Sequence, residues 1–122
     1  KLTIIDHLPQ NLLASAYAAS EVHILPSWCE TCGLVSLEAA LNNTPVIGST
    51  FGHELEYLQN DALYIDPSDA DSIQTAVIQA LEEGKQQPRV RKLKNRVLST
   101  YNWERTTDST AELYEKVINS NC

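Results

Sequence analysis

The sequence predicts a three-layer α/β domain in which a parallel sheet of about four strands has helices on both faces. Short apolar segments alternate with longer segments whose apolar residues recur at helical spacing, and short loops join them. This alternation is typical of βαβ units. The sequence contains no Asn-Gly or Asp-Gly pair, so it lacks the usual signal for a hairpin between antiparallel strands. Right-handed crossovers would place the helices on both faces of the sheet.

Four segments have the character of buried strands. The first is apolar on both faces, as expected in a parallel sheet that is covered on each side. The second ends where Pro26 begins a loop, and the third begins at Pro45, where a missing N–H is least harmful. The predicted strands are residues 2–6, 21–25, 45–48 and 62–65.

Helices are predicted between and after these strands. Pro9 suits the first turn of the first helix, which continues to residue 20. Ser68 or Asp69 can cap the helix that precedes Gly84, and Asn102 can cap the last helix. The other predicted helices are residues 33–42, 54–59 and 89–100.

The last helix, residues 103–120, is predicted to close the domain. Trp103 is expected to be a core aromatic residue that anchors this helix. Its other apolar positions, which need a surface to pack against, are Ala111, Tyr114, Val117 and Ile118.

The composition is that of one ordinary globular domain of 122 residues with a net charge of −7. This charge argues against sequence-independent binding to nucleic acid or to an anionic membrane surface. The one basic cluster is predicted to be the solvated face of a helix; it comprises Arg89, Arg91, Lys92, Lys94 and Arg96.

The length of the apolar runs, the number of cysteines and the first residues of the chain lead to expectations about the compartment and the extent of the protein. The sequence has no apolar run of the ~20 residues that a membrane span needs, and no signal peptide is visible. An odd number of cysteines, three, favours a reducing compartment, so we expect a cytoplasmic protein. Because the chain opens in a strand-like segment, residues 1–122 are expected to be part of a longer protein.

Ligands of parallel α/β sheets bind beyond the carboxyl ends of the strands, where residues 26–33, 49–53 and 66–68 are predicted to lie. In the first of these segments, Cys29 and Cys32 form a Cys-x-x-Cys motif at the start of a helix. The helix N-terminus would lower the pKa of a thiol there, as in a thioredoxin-like thiol-disulfide oxidoreductase. That fold also mixes in antiparallel strands, which this sequence does not predict. A zinc site is disfavoured because Cys122 is terminal and the histidines, His7, His23 and His53, are scattered.

Two glutamates, Glu30 in this segment and Glu38 in the helix that follows it, lie on either side of the helix start. With Gly33 opening that helix, the free N–H groups of Leu34 and Val35 suit a phosphate or diphosphate. The Glu38 carboxylate can accept two hydrogen bonds from vicinal hydroxyl groups, and Glu30 lies at the other end of the same pocket. A polyhydroxylated group next to a phosphate is the ligand that satisfies both features.

These residues and those that follow resemble one family of enzymes. The segments are Pro26-Ser27, Glu30, Gly33 to Ala40, Asn43 to Ser49, Gly52 to Glu56, Ala62 to Pro67 and Tyr101 to Glu104. Together they resemble the donor-binding, C-terminal domain of retaining glycosyltransferases of the GT-B fold, family 4 type. The resemblance covers essentially the whole chain and implies a Rossmann-like domain that binds a nucleotide-diphosphate sugar.

The resemblance implies a role for each matching residue. Glu30 would be catalytic and contact the sugar, and Glu38 would bind the ribose hydroxyls. Backbone N–H groups around Gly33 would hold the sugar and the diphosphate. The donor-binding residues would be Cys32, Gly33, Leu34, Val35 and Glu38, with Ser27, Gly52, His53 and Glu56 as further candidates. No metal or other cofactor is expected, and the acceptor, a glycan or lipid, would bind a missing N-terminal domain that could associate peripherally with a membrane.

The sequence departs from the family pattern in several places. Cys32 stands where the family has an aromatic residue, which puts the identity of the sugar in doubt, and His53 stands where it has glycine. Both Glu54 and Glu56 suit a helix N-terminus, but only Glu56 matches a family glutamate. The Arg and Lys that neutralise the diphosphate in the family are absent, since Lys1 is the sole cation of residues 1–25.

These departures imply that the chain lacks the first two strands of the domain and, by itself, transfers no sugar. An unpaired sheet edge and the last helix make self-association plausible. Two alternatives to a polysaccharide-synthesising hexosyltransferase stay open: the thiol oxidoreductase, and a non-catalytic module that binds a nucleotide or a partner.

Overall fold

The computed structural model describes residues 1–120 and has the predicted α/β architecture. Cys122, which the zinc-site hypothesis considered, lies outside the described residues. The strands are β1 (His23–Ile24), β2 (Val46–Ser49) and β3 (Leu63–Ile65). The helices are α1 (Gln10–Ala19), α2 (Leu34–Leu41), α3 (Glu54–Leu58), α4 (Ala70–Glu83), α5 (Pro88–Thr100) and α6 (Trp103–Ser120). A 3-10 turn (Gln59–Asp61) follows α3.

The described strands form a parallel sheet in the order β1-β2-β3. Val46 pairs with His23, and Ile47 pairs with both Ile24 and Leu63. The central strand, β2, is buried along its whole length. Because parallel strands end at the same edge, the loops after β1 and β2 emerge side by side.

Two apolar clusters cover the two faces of the sheet. Val46 and Ile47 are neighbours in β2, and their side chains point to opposite faces. Val46 belongs to a cluster with residues of α2, α3 and α5, whereas Ile47 packs with Ala76 and Ala80 of α4. The prediction of helices on both faces is therefore confirmed.

Residues 2–6 do not form the predicted strand. In the described part of the chain they pair with no other strand, and Leu2 and Ile4 are 85% and 78% exposed. A segment that is apolar on both faces forms a strand only where a neighbouring strand supplies hydrogen bonds and a surface to pack against. The sheet of residues 1–120 accordingly has three strands instead of about four.

Local signals at the helix ends are confirmed where the structure tests them. Of the two candidates, Asp69 is the cap of α4, and its carboxylate accepts a hydrogen bond of 2.9 Å from the Asp71 N–H. The Asn102 side chain accepts one of 2.9 Å from the Arg105 N–H and so caps α6. No helix in residues 1–120 is long and apolar enough to cross a membrane.

Two predictions about the last two helices are wrong. Trp103 is 86% exposed and anchors no core. The basic cluster of α5 is not simply solvated, because Arg96 donates a hydrogen bond of 2.8 Å to the Leu58 carbonyl and pairs with the buried Asp61 carboxylate. Periodicity places these side chains on a helix face but does not reveal which partner covers that face.

Candidate functional site

The candidate site lies where the loops after β1 and β2 meet the start of α2. Its centre is Glu30, whose Oε1 accepts hydrogen bonds from three successive backbone N–H groups: Thr31 (3.0 Å), Cys32 (3.2 Å) and Gly33 (2.9 Å). These donors, with Gly33 the strongest, hold the pKa of the Glu30 carboxyl below its usual value. Within residues 1–120 its second oxygen, Oε2, accepts no hydrogen bond.

Gly33 allows the chain to turn from this loop into α2. Its φ of 52° and ψ of 43° are left-handed values, which cost little for glycine alone. A Cβ at this position would lie 2.2 Å from the Tyr57 hydroxyl oxygen. Gly33 is therefore required by backbone conformation and by the close approach of Tyr57.

The amide groups at the start of α2 differ in availability. The Gly33 N–H already donates to Glu30, and the Ser36 N–H donates to the Gly33 carbonyl at 2.9 Å. Between them lie Leu34 and Val35, in the first turn of the helix, where N–H groups have no acceptor within the helix. The side chains of both residues are exposed. Of the predicted amide donors, these two are the ones available to a ligand.

The loop after β2 packs on the loop of Glu30 through its backbone. The His53 N–H donates to the Glu30 carbonyl at 3.3 Å, and a Cβ at Gly52 would lie 2.8 Å from the same carbonyl oxygen. Outside this contact, the exposed rings of Trp28 and Phe51 lie 5.6 Å apart. The structure thus brings the predicted residues Glu30, Gly52 and His53 together.

Glu38 lies in a different setting from Glu30. It is half-buried on α2, and its Oε2 accepts a hydrogen bond of 3.3 Å from the Tyr17 hydroxyl of α1. Burial and, after it, the charge of Glu38 raise the pKa of Tyr17. Glu38 lines a cavity of about 120 Å³ between α1 and α2, and Glu30 is not among the lining residues.

The remaining predicted residues make fewer contacts. Ser27 is half-buried, and Cys32, like Cys29, is an exposed free thiol. The Glu56 carboxylate lies 4.0 Å from Nδ1 of His53, and both side chains are largely exposed. At the end of β3, the Asp66 carboxylate accepts a hydrogen bond of 2.8 Å from the Ser68 N–H. No group of three or more potential metal ligands occurs in residues 1–120.

Glu54 is not among the predicted site residues, yet the structure places it at the centre of a group of buried polar contacts next to this site. Glu54 is completely buried; its Oε1 accepts from the Ser36 hydroxyl and its Oε2 from the Ser49 N–H, each at 2.7 Å. One signal was available, because Gly48 lies inside a predicted strand, where glycine often marks a close approach. A Cβ at Gly48 would indeed lie 2.8 Å from the Glu54 carboxylate.

A cavity of about 480 Å³ lies elsewhere in the described structure, at the C-terminal ends of α1 and α2. Lys85 and Arg91 line it, and the Lys85 ammonium donates to the Ala18 carbonyl at 2.7 Å. Helices of βα units run opposite to their strands, so this cavity lies at the end of the sheet where the strands begin. It is separate from the candidate site.

The wholly parallel sheet and the glycine-opened helix at its carboxyl edge define the class of the protein. It is a Rossmann-like α/β domain of the type that forms part of GT-B glycosyltransferases. The sequence model of the family "Glycosyl transferases group 1" matches residues 1–97, and the chain belongs to that family. A thioredoxin-like fold, which would require antiparallel strands, is not observed in residues 1–120.

Individual relatives are longer than this chain. It is 27% identical over 118 residues to an uncharacterized glycosyltransferase of Methanocaldococcus jannaschii, covering 94% of the chain and 30% of that protein. It is 30% identical over 113 residues to the glycogen synthase of Mycobacterium tuberculosis, covering 90% of the chain and 27% of that protein. Sucrose-phosphate synthase from Thermosynechococcus elongatus has a similar structure, with a TM-score of 0.85 and 27% identity over 97% of the chain and 30% of its own.

Proposed function

We propose that the protein containing this chain is a retaining glycosyltransferase of the family 4 type that transfers a hexose from a nucleotide-diphosphate sugar. In this proposal residues 1–122 form part of the donor site. The observation that carries it is the loop from Glu30 to Gly33, which is held by its own hydrogen bonds and begins α2 at a left-handed glycine. Membership of the glycosyltransferase group 1 family supports the class of reaction.

The start of α2 would bind the diphosphate. The N–H groups of Leu34 and Val35 have no helical acceptor, and the positive end of the helix dipole favours an anion there. As the bond between the sugar and the diphosphate breaks, negative charge develops on the leaving diphosphate. Donors that are already oriented stabilise this charge more than they stabilise the substrate, so the reaction needs no metal ion at this position.

The two predicted glutamates would bind hydroxyl groups. Glu30 is kept ionised by its three N–H donors, and its second oxygen can accept a hydrogen bond from the sugar. Glu38 shares one hydrogen bond of 3.3 Å with Tyr17 and has further acceptor capacity for the ribose hydroxyls. Carboxylates suit both positions because hydroxyl groups are hydrogen-bond donors. Cys32 would line the sugar pocket.

The proposal also covers the acceptor substrate, the biosynthetic role and the cellular location of the protein. The acceptor, a glycan or a lipid, would bind a part of the protein outside this chain, which spans 30% or less of the relatives described above. One further relative is an O-antigen chain mannosyltransferase of Salmonella typhimurium, 36% identical over 77 residues, 63% of the chain and 22% of that protein. This supports a role in polysaccharide synthesis, and we place the protein in the cytoplasm, with peripheral membrane association through the other domain.

The test is Glu38→Gln in the full-length protein, assayed for transfer from a panel of nucleotide sugars. Losing a charge-assisted hydrogen bond to the donor should lower kcat/KM by about 10- to 100-fold. Glu82→Gln, an exposed glutamate on α4, is the matched control and should behave as the wild type. Unchanged kcat/KM in the Glu38 variant would exclude the assigned role, and donor binding without turnover in the wild type would favour a non-catalytic module.

A second experiment tests whether the chain works alone. In residues 1–120 no Lys or Arg side chain forms an ion pair with Glu30. The isolated chain should therefore transfer no sugar under conditions in which the full-length protein does. A transfer rate from the isolated chain comparable to that of the full-length protein would contradict this expectation.

A further inference from the structure

The contact network around Glu54 points to a role for a residue outside the family motif. Glu54 begins α3, is completely buried and forms no ion pair with the described side chains. A buried carboxylate is retained at a free-energy cost unless hydrogen-bond donors surround it. Here both oxygens accept short hydrogen bonds, from the Ser36 hydroxyl and from the Ser49 N–H.

These two donors belong to the two walls of the candidate site. Ser36 lies in the first turn of α2, directly after Leu34 and Val35. Ser49 ends β2 and begins the loop whose Gly52 and His53 contact the Glu30 carbonyl. The Glu54 carboxylate is therefore bonded both to the helix that presents the free amides and to the loop that packs on Glu30.

The surrounding glycines make room for this carboxylate. A Cβ at Gly33 would lie 3.2 Å from its Oε1, and a Cβ at Gly48 would lie 2.8 Å from its Oε2. Glu56, which matches the family glutamate, is exposed and lies beside His53. Of these two residues, only Glu54 is buried and placed to hold the elements of the site in position.

A third element joins the network through His23 of β1. Ser36 has one hydroxyl proton, which it donates to Glu54, so the contact of 3.3 Å between Ser36 Oγ and His23 Nε2 requires His23 to be the donor. The hydrogen bonds then run from β1 through α2 to α3. Each oxygen in this series accepts at least one hydrogen bond, and a buried polar network with satisfied members rigidifies its surroundings.

We propose that Glu54 is a positioning residue of the donor site, which holds the first turn of α2 at a fixed distance from the loop after β2 that packs on Glu30. This inference rests on the proposed function. Glutamate is specified because two donors face it. Glutamine would place an NH₂ group against one of them, and aspartate is one methylene shorter and would not reach both.

The experiment compares Glu54→Gln and Ser36→Ala with the wild type in the full-length protein, using a nucleotide sugar as donor. Glu54→Gln should raise the donor KM by about tenfold. This corresponds to the loss of about one charge-assisted hydrogen bond, whose effect reaches the Leu34 and Val35 amides. The acceptor KM should change less than about twofold, since the hydrogen bonds of Glu54 join elements of the proposed donor site. Ser36→Ala should act in the same direction with a smaller effect.

Asp61→Asn is the matched control, because Asp61 is also a buried carboxylate but pairs with Arg96 of α5, not with α2 or the loop of Glu30. It should lower the melting temperature and leave the donor KM within about twofold. If Glu54→Gln and Ser36→Ala lower the melting temperature in the same way and leave the donor KM unchanged, Glu54 is merely structural and the inference is wrong. If the wild type binds no nucleotide sugar, the proposed function fails and this inference fails with it.

Discussion

At the scale of single residues, the site depends on the contact between Gly33 and Tyr57. Gly33→Ala should destabilise the chain by about 2–4 kcal/mol, because it adds left-handed backbone strain and a Cβ that meets the Tyr57 hydroxyl. In a Tyr57→Phe background the same substitution should cost only about 1–2 kcal/mol, mainly backbone strain, since the next contact, with the Glu54 carboxylate at 3.2 Å, is less severe. Chemical denaturation of the four proteins of this double-mutant cycle measures the difference.

The single variant Tyr57→Phe tests whether the Tyr57 hydroxyl contributes to stability. The Tyr57 hydroxyl is buried and has no hydrogen-bond partner in the described structure. Removing it should leave stability unchanged or raise it, since an unsatisfied buried polar group is unfavourable. Equal costs of Gly33→Ala in both backgrounds would contradict the close contact.

His23 should make stability depend on pH. Burial lowers the pKa of His23 in the folded protein, whereas in the unfolded chain it returns to its ordinary value of about 6.5. The unfolded state therefore binds more protons as the pH falls below about 6.5, and stability decreases there. His23→Gln, which retains an N–H donor toward Ser36, should flatten this decrease in denaturation curves measured between about pH 7 and 5.

The exposed His7 provides the control for that experiment. If His7→Gln flattens the curve as much as His23→Gln, the dependence does not come from the buried network. The groups that face His23 are the Ser36 hydroxyl and the edge of the Tyr17 ring, with ring centroids 5.8 Å apart. Neither carries a charge at neutral pH, so burial sets the direction of the shift.

Single residues also show where sequence-based prediction fails. The sequence marks Glu30, Gly33 and Glu38 because their spacing around a helix start is visible in one dimension. Helix-end preference does not distinguish Glu54 from Glu56, since both suit the first turn of a helix, and the family resemblance selects Glu56, which is exposed. Which one points inward depends on how the preceding loop enters α3, and that is decided by packing between elements distant in sequence.

At the scale of elements, α5 is joined to the rest of the fold by Arg96. Its guanidinium donates to the Leu58 carbonyl and pairs with Asp61, which is 5% exposed. Arg96→Ala leaves this buried carboxylate with only Lys92, at 3.4 Å, and should cost about 3 kcal/mol. Chemical denaturation measures this cost, and Arg91→Ala on an exposed position of the same helix should cost less than about 0.5 kcal/mol.

Most elements were predicted within one or two residues, because turn residues and hydrophobic periodicity are local signals. The exception is instructive. Residues 2–6 have the composition of a buried strand, yet the described chain offers them no strand to pair with, and they are exposed. A helix satisfies its own backbone hydrogen bonds, whereas a strand requires a neighbouring strand. The sequence of one segment does not show whether such a neighbour is present.

At the scale of the whole molecule, apolar surface remains on α6. No residue of this helix is buried, and its exposed apolar side chains include Leu113, Tyr114 and Val117. We expect the isolated chain to self-associate through this face, and Val117→Glu should shift sedimentation velocity profiles toward the monomer. Asn119→Glu, on the opposite face of the helix, is the control, and an equal shift in both variants would mean that charge, not this face, governs association.

Charge is unevenly distributed along the chain. Between Lys1 and Lys85 the sequence contains no Lys or Arg, and this stretch includes every residue of the candidate site. The cations of residues 85–96 lie instead on α5 and its preceding loop. The family and the fold were predictable from the sequence, whereas the position of the donor site stays a prediction, and no Lys or Arg of residues 2–84 supplies the positive charge that a diphosphate requires.

The hydrogen bonds of Glu30 have a consequence for selectivity. A carboxylate attached to the loop occupies the Thr31, Cys32 and Gly33 amides, and its effective concentration there is far above that of a free anion in solution. Inorganic phosphate would have to displace it to reach these donors. In the proposed function a sugar hydroxyl would bind the second carboxylate oxygen and leave the first in place, so at these three amides the loop would compete with simple anions but not with the sugar.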